Sequence, residues 1–312
     1  MNNASQQLAI GFDIGGTNVR AGLVNDAGEV LATRTMPTAD NAADLEESIE
    51  KLVAELSPGN NISGVGLAVA GFIDPTCTIV RFAPHLPWRN ATVRKNLEER
   101  IGMPVRLEHD ANSAAWGEAR FGAGRKAKDW VFFAIGTGIG ATLMSGGEIY
   151  RGAFGTAPEF GHLTVVPNGR PCSCGKRGCL ERYASGTALP DTAAELRGSY
   201  ETTLAEDASS EYIVAAARAG DPLAIAVMED FARWLGLGLA MVVDVLDPEL
   251  IVLGGGVSRE SDLFLDLARK HMQDNMVGAG FRDVAELKVA VLGSQAGMIG
   301  AADLARASAC VL

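Results

Sequence analysis

Short apolar runs alternate with amphipathic stretches along most of the chain, and this alternation predicts an α/β protein. Apolar runs at 8–13 and 19–24, with a turn at 25–28 into 29–33, predict that the chain opens with antiparallel strands. Further strands are predicted at 62–70, 104–108, 130–135, 139–144, 250–253 and 287–292. Helices are predicted at 41–56, 91–100, 110–121, 211–219, 222–246, 260–274 and 295–307. Residues 75–90 are predicted to form an irregular loop, and 187–210 give no clear pattern.

One pattern occurs twice, a glycine-rich turn between two apolar strands. It is GFDIGGTNVRAGLV from Gly11 and FFAIGTGIGATLM from Phe132. Two such hairpins, one in each half of the chain, predict two similar lobes that face each other. The polar stretch 122–129 between them is a plausible domain boundary.

The composition argues against several classes of function and location. The 312 residues are 47% hydrophobic, and the formal net charge is -11, which argues against a nucleic-acid or anionic-membrane partner. Backbone amides could still bind phosphate. The N-terminus has no secretory pattern, and the most apolar run, 234–246, is shorter than the ~20 residues of a membrane span. Cys77 and Cys310 are isolated and are expected to be small buried apolar residues. We therefore predict a cytoplasmic protein.

The segment 162–179 carries the pattern of a structural zinc site. Cys172, Cys174 and Cys179 follow His162 closely, and glycines between the cysteines permit a tight knuckle. Three cysteines and one histidine form a common closed ligand set for zinc. The alternative is a loop with free or disulfide-bonded thiols.

The first glycine turn is a candidate phosphate site, formed by Gly11, Asp13, Gly15, Gly16, Thr17 and Asn18. Its glycines let backbone N–H groups approach an oxyanion, and a carboxylate at the strand end can hold hydrated Mg²⁺. It is no Walker A loop, because Thr17 stands where lysine should be. The alternative is an ordinary hairpin turn.

Two further glycine loops follow predicted strands. The second loop contains Gly136, Thr137, Gly138 and Gly140, and the third contains Gly254, Gly255 and Gly256. The second loop repeats the chemistry of the first, and the third could lie against a planar base or ribose. Three such loops at strand ends predict a bound nucleotide.

Three acidic residues are candidates for catalysis on a sugar or for binding its hydroxyls. Asp110 lies at a predicted strand-to-helix junction, where it could cap the helix, act as a general base, or do both. Glu159 and Glu181 flank the cysteine segment and could accept hydrogen bonds from hydroxyls; the alternative is that they are solvated surface residues.

Together these motifs resemble the ROK family (repressors, open reading frames and kinases), and most of all its bacterial kinases that phosphorylate glucose. The resemblance rests on DIGGTNVRAGLV, EHDANSAAWGEARFGAG, GTGIGATL, EFGH, CSCGKRGCLERYASG and LGGGV, and it covers nearly the whole chain. It implies the two-lobed actin-like fold of sugar kinases and Hsp70 ATPases (ribonuclease H-like), with a central cleft. The lobes would be 1–121 with about 295–312, and 122–294.

The resemblance also implies roles for residues. ATP, with Mg²⁺, would be held by the first two loops, with the third near the adenosine. Asp110 would take the proton from the sugar 6-hydroxyl. Other hydroxyls would meet Gly71, His109, Glu159, His162 and Glu181. His162 would also ligate zinc, which would organise the sugar pocket and take no part in catalysis. Dimers or tetramers are common in the family.

Some residues depart from the family pattern. His109 and His85 stand where asparagine is common, and Pro158 replaces a usual glycine or alanine. The resemblance makes glucose the first expectation, and because the two histidines change the groups that would meet sugar hydroxyls, N-acetylmannosamine, N-acetylglucosamine or fructose is the alternative. A sugar-responsive repressor is a weaker hypothesis, because the first strand leaves no room before it for a DNA-binding domain. An actin-like ATPase would not need the cysteine segment or Asp110.

Overall fold

The computed structural model describes residues 7–309, so Cys310 and the outermost residues of the predicted first lobe lie outside it. The strands are β1 Leu8–Ile14, β2 Asn18–Val24, β3 Val30–Pro37, β4 Ile62–Val69, β5 Phe72–Ile73, β6 Val80–Phe82, β7 Arg89–Ala91, β8 Val105–His109, β9 Trp130–Ile135, β10 Ile139–Ser145, β11 Glu148–Tyr150, β12 Leu250–Gly254 and β13 Glu286–Val289. The α-helices are α1 Ala42–Leu56, α2 Val93–Ile101, α3 Asp110–Phe121, α4 Glu181–Ala184, α5 Ala188–Leu196, α6 Ser210–Arg218, α7 Pro222–Leu246, α8 Leu265–Asn275 and α9 Ala296–Ala309. No helix of the described residues is long and apolar enough to span a membrane.

The chain forms two compact units. The first contains the described residues up to Lys128, then Thr142–Pro158, then those from Val291 onward. The second contains Asp129–Ala141 and Glu159–Ala290. The predicted lobes, 1–121 with 295–312 and 122–294, stay a prediction; the units differ from them mainly in 142–158.

The first unit is built on a five-stranded sheet in the order β3-β2-β1-β4-β8. The first three strands pair antiparallel, whereas β4 runs parallel to both β1 and β8. Parallel strands end at the same edge, so the end of β1 and the end of β8 lie at one side of this sheet. That edge carries Asp13 and His109.

Helix α9 closes one face of this sheet at very short range. A Cβ added to Gly11 would lie 1.9 Å from the Met298 carbonyl oxygen, and one on Gly66 would lie 1.9 Å from that of Ala301. Glycine is therefore required where helix and sheet backbones meet. The buried Arg306 guanidinium donates to the carbonyl oxygens of Val24 at 3.1 Å, and also to those of Gln7 and Asn25.

The region predicted to be an irregular loop, 75–90, is irregular over 75–79 and 83–88, but it also contributes β6 and the start of β7 to a small three-stranded sheet, β5-β6-β7. The sequence did not predict these strands, because strands of two or three residues are too short to show a period of two. Asp74, 8% exposed, organises its first turn by accepting N–H bonds from Thr78 at 2.7 Å and Ile79 at 2.6 Å. Burial would raise the pKa of Asp74, but these bonds and those from Thr76 lower it to about 2.

In the second sheet the order is β11-β10-β9-β12-β13, and the division between the units passes through β10. Within the second unit, β12 pairs parallel with both β9 and β13. The 25-residue α7 is largely buried, which explains its apolar sequence, and its N-cap Asp221 accepts from the Ala224 N–H.

The predicted strands and helices are confirmed with small shifts in their bounds, and α3 begins and ends where predicted. Helix α8 starts at Leu265, later than predicted, because a 3₁₀ helix at Val257–Leu263 precedes it. The unassigned 187–210 contains α5.

Candidate active site

The first glycine turn is a tight hairpin tied to its neighbours. The Gly15 N–H donates to the Asn18 carbonyl at 3.0 Å, and the Thr38 hydroxyl donates to the Gly15 carbonyl at 2.7 Å. A Cβ on Gly16 would lie 2.8 Å from the His85 Cβ, so the turn passes close to the loop that precedes β7. The turn is therefore held rigidly, as a preformed anion site requires.

An open cavity of about 420 Å³ adjoins this turn. It is lined by Asp13, Gly15, Gly16, Thr17, Asn18, Arg20 and Thr35. The structure thus brings together five of the six residues predicted for this loop. Gly11 is the exception: it lies within β1 against α9, so its missing side chain serves packing.

Arg20 was missed by the sequence reasoning. It stands opposite Asp13 in the β1–β2 register, and its Nη2 lies 2.9 Å from the Asp13 carboxylate. A hairpin register counted outward from the turn would have paired the two. Arg20 gives an otherwise acidic protein a cation at the candidate phosphate site.

The carboxylate of Asp13 is affected by burial, by Arg20 and by the charge of Asp110. Burial raises the pKa of Asp13; Arg20 opposes that shift, and the negative charge of Asp110 adds to it, so that the pKa is raised overall. Asp13 and Asp110 therefore lie within electrostatic range of each other at the carboxyl end of the sheet.

Asp110 is the first residue of α3, and it is 44% exposed. Its Oδ1 accepts the Ala111 N–H at 2.7 Å and lies 3.2 Å from His109 Nε2. No described residue bonds to its Oδ2. His109, and not Asp110, is the N-cap residue, and it makes no side-chain cap bond. The carboxylate is thus oriented through one oxygen while the other can accept a proton.

Gly71 follows β4 and lies against the small sheet. A Cβ there would meet the Phe82 carbonyl oxygen at 2.7 Å and the Ala83 Cβ at 2.8 Å. Close backbone approach therefore explains this glycine, and its predicted sugar contact stays a prediction.

In the second unit, the ligand atoms of His162, Cys172, Cys174 and Cys179 all lie within 4.8 Å of one another. The Cys174 and Cys179 sulfurs are 3.6 Å apart, and Cys172 Sγ is 3.6 Å from His162 Nδ1. These separations are too long for a disulfide, whose sulfurs lie ~2.05 Å apart. They match the edges of a zinc tetrahedron, about 3.8 Å for sulfur ligands at ~2.3 Å.

The chemistry of the donors also fits a metal cation. Burial and the neighbouring sulfur atoms raise the pKa of Cys179 to about 12. Burial would also raise the pKa of Cys174, but hydrogen bonds and Lys176 lower it overall, and a divalent ion beside the cluster would stabilise thiolates at both positions. Cys172, Cys174 and Cys179 form no disulfide in the structure, and zinc binding by the four converging donors stays a prediction.

The two ring nitrogens of His162 face different groups. Nδ1 points to Cys172, whereas Nε2 lies 3.9 Å from the Glu159 carboxylate. This arrangement is compatible with one nitrogen on a metal and the other on a ligand hydroxyl.

Glu181 links the cysteine cluster to the second glycine loop. Its Oε2 accepts the Ile139 N–H at 2.8 Å, and its Oε1 lies 4.0 Å from Cys172 Sγ. A Cβ on Gly138 would lie 2.2 Å from the same Oε2. A side chain at position 138 would therefore displace the Glu181 carboxylate from its place beside the loop.

The second loop is held by a segment that sequence reasoning did not assign. The Gly136 carbonyl accepts the Gly186 N–H at 2.8 Å, and the Thr137 carbonyl accepts the Thr187 hydroxyl at 2.7 Å. Gly140 lies on β10, just beyond the turn. Gly186 and Thr187 belong to the sequence ASGT, which follows the cysteine segment, and this run of small and polar residues could have indicated the contact.

The third loop follows β12. A Cβ on Gly254 would lie 2.5 Å from the Phe132 ring, and one on Gly255 would lie 2.3 Å from the Ile135 carbonyl oxygen. Gly256 has open space around its Cα. Packing on β9 thus requires the first two glycines, and only the third faces free space.

Comparison with known proteins agrees with these features. The ROK family pattern matches residues 9–308. The chain belongs to the ROK family. It is 40% identical over 310 residues to a glucokinase from Streptomyces coelicolor, covering 96% of this chain and 98% of the relative.

Among solved structures, a ROK family glucokinase from Streptomyces griseus, in complex with glucose and AMPPNP, superposes with a TM-score of 0.84. It is 41% identical, and the match covers 96% of this chain and 99% of that one. This likeness confirms the predicted α/β class with the two-lobed actin-like ATPase fold. A putative xylose repressor from Caldicellulosiruptor sp. is 32% identical over 86% of this chain and 70% of the repressor.

Proposed function

We propose that this ROK protein transfers the terminal phosphoryl group of ATP to the 6-hydroxyl of glucose, with Asp110 as the general base. The observation that carries the proposal is the Asp110 carboxylate, oriented through Oδ1 with Oδ2 left to accept a proton. The glucokinase relatives, and the glucose and AMPPNP bound to one of them, support the choice of substrates.

In the proposed reaction the protein forms no covalent bond with either substrate, and its main contributions are a proton acceptor and the positioning of the reactants. The 6-hydroxyl gives its proton to Asp110 Oδ2 while its oxygen forms a bond to the terminal phosphorus, and the bond from that phosphorus to the β-phosphate oxygen breaks to release ADP. Base catalysis of this kind contributes ~10²–10⁴-fold, and positioning of the reactants contributes much of the remainder.

ATP binding is assigned to the glycine loops. The cavity at Gly15, Gly16, Thr17 and Asn18 would hold phosphate oxygens, with Arg20 as its cation. The loop of Gly136, Thr137, Gly138 and Gly140 would hold phosphate as well, and Gly256 leaves room for the nucleoside. Asp13 would hold Mg²⁺, which neutralises phosphate charge when bound.

Sugar binding is assigned to Gly71, His109, Glu159, His162 and Glu181. A structural zinc on His162, Cys172, Cys174 and Cys179 would fix the orientation of the His162 ring. Because Glu181 Oε2 already accepts a loop N–H, its Oε1 is the oxygen assigned to a hydroxyl. We further propose that the lobes are 1–121 with about 295–312, and 122–294, and that the protein is a cytoplasmic enzyme and a homo-oligomer, either a dimer or a tetramer.

A coupled assay of ADP formation tests the proposal. Purified protein with Mg-ATP is given glucose, mannose, fructose, N-acetylglucosamine and N-acetylmannosamine, and polyphosphate replaces ATP in a parallel series. Glucose with ATP should give the highest kcat/KM. A higher value for another hexose would replace glucose as the substrate, and no sugar-dependent ADP at all would overturn the kinase proposal in favour of a sugar-responsive regulator.

A further inference from the structure

A buried carboxylate lies two residues before Asp110. The Glu108 side chain on β8 is 2% exposed. Its Oε1 accepts from Asn112 Nδ2 at 2.9 Å and from Arg151 Nε at 3.3 Å, while Oε2 is bonded by Arg151 Nη2 and lies 3.5 Å from Arg106 Nη2. Burial would raise the pKa of Glu108, but the hydrogen bonds and charge of Arg151 lower it overall. The group is therefore an ionised, fully paired carboxylate.

The proposed reaction gives Glu108 no chemical step. Both of its oxygens are occupied by donors, so it cannot take a proton from a sugar hydroxyl. A buried ion pair is also a poor source of stability, because desolvation offsets most of the attraction between the charges. The cluster of Glu108 with Asn112, Arg106 and Arg151 must therefore have a role other than chemistry or stability. Its location beside Asp110 indicates that role.

The cluster holds the chain on both sides of Asp110. Glu108 Oε1 also accepts the His109 N–H at 3.2 Å, and Asn112 in the first turn of α3 donates to the same oxygen. The far side of Asn112 is fixed in turn, because its Oδ1 accepts the Thr142 hydroxyl at 3.0 Å. Since His109 makes no side-chain cap bond, the Glu108 carboxylate does the work of joining the strand end to the helix start.

Arg151 reaches this junction from a separate segment of the first unit. It follows β11, its Nη1 donates to the Ile149 carbonyl at 3.3 Å, and its own carbonyl accepts the Ala157 N–H at 3.2 Å. Its guanidinium is thus anchored at its own segment and presents a planar two-point contact to Glu108. A lysine ammonium could keep the charge there but not this geometry.

We propose that the Glu108–Arg151 pair is a positioning device for the proton-accepting carboxylate of Asp110. The pair fixes the β8–α3 junction, and the junction sets where Oδ2 lies. The inference rests on the proposed function, since it concerns the placement of the base in that reaction.

Arg151→Lys and Glu108→Gln test the proposal, with Arg94→Lys as the matched control. Arg94 pairs with Glu98 at 3.0 Å on α2, in the same unit. A displaced base should lower kcat about 10- to 100-fold in both test variants while the KM for ATP changes less than about twofold. The control should keep both constants. Combined with Asp110→Asn, either test variant should cost little further rate, because it acts through a base that is already absent.

Thr142→Val is the milder variant, for use if the others do not fold. It removes only the outer bond to Asn112 and should lower kcat in the same direction by a smaller factor. A kcat unchanged within about twofold in all three variants overturns the proposal, and so does a full additional loss of rate in the Asp110→Asn background.

Hydrogen exchange separates this proposal from the proposed function. The amides of 109–113 should exchange faster in Arg151→Lys than in the unsubstituted protein, and Arg94→Lys should leave them unchanged. Unchanged exchange in Arg151→Lys overturns the positioning role even if the enzyme is a kinase. Faster exchange in a protein that phosphorylates no sugar overturns the proposed function and leaves the pair as the device that fixes this junction.

Discussion

Replacing Asp110 by asparagine removes the proton acceptor and little else. The amide oxygen of asparagine can still accept the Ala111 N–H, now 2.7 Å from Asp110 Oδ1, so the side chain keeps its orientation. Its NH₂ group then occupies the place of Oδ2 and cannot take a proton. The expected loss is 10²–10⁴-fold in kcat, which corresponds to ~3–5 kcal/mol of transition-state stabilisation.

Stability should hardly change in this variant. The Asp110 side chain is 44% exposed, and the lost charge at the helix start costs under about 1 kcal/mol. The matched control is Asp266→Asn, which removes a 96% exposed carboxylate from the first turn of α8. Glucose and ATP titrations should show binding retained in Asp110→Asn, and stopped assays should show the slow turnover. A kcat within tenfold of the unsubstituted protein, or a loss equal to that of the control, would refute Asp110 as the base.

Three other substitutions have defined outcomes. Cys174→Ser should abolish stoichiometric zinc, lower the Tm and raise the KM for glucose; metal analysis that finds no zinc in the unsubstituted protein would contradict this. Arg20→Ala should raise the KM for ATP at least severalfold with the KM for glucose nearly unchanged, and the reverse pattern in steady-state kinetics would count against a phosphate site beside β2. Asp74 has a folded pKa of about 2 against an unfolded value of 3.8, so it contributes about 2 kcal/mol above pH 4 that is lost as the pH falls towards 2. Asp74→Asn should lose this stability at pH 7 and show a flatter fall between pH 5 and pH 3 in urea unfolding; an equally steep fall would exclude Asp74 as its source.

Local patterns predicted the main sheets and long helices because burial imposes a regular period on their sequences. Helix α3 followed from its apolar spacing, and the glycine turns from their composition. What escaped prediction depends on contacts between distant segments. Arg151 and Glu108 are 43 residues apart in the sequence and come into contact only in the folded chain. The residues next to either one give no indication of this pairing.

The glycines show the same division. Their density at 11–16 and 254–256 predicted close approach to a phosphate and to a base or ribose, and those contacts stay a prediction. Gly11 packs against a carbonyl group of α9, and Gly254 packs against an aromatic ring of β9. Gly138 leaves room for the Glu181 carboxylate, a contact that no inspection of its own loop could reveal. A high density of glycines in the sequence indicates where the backbone packs closely against another group. Only the structure identifies that group.

The short contact between α9 and the first sheet has a consequence for biosynthesis. Strands β1 and β4 are translated long before α9, the helix that covers them, and Arg306 near the end of α9 donates to carbonyl oxygens beside β1 and β2. The nascent chain must therefore keep that apolar face of the sheet uncovered until α9 has been translated, which exposes the face to aggregation.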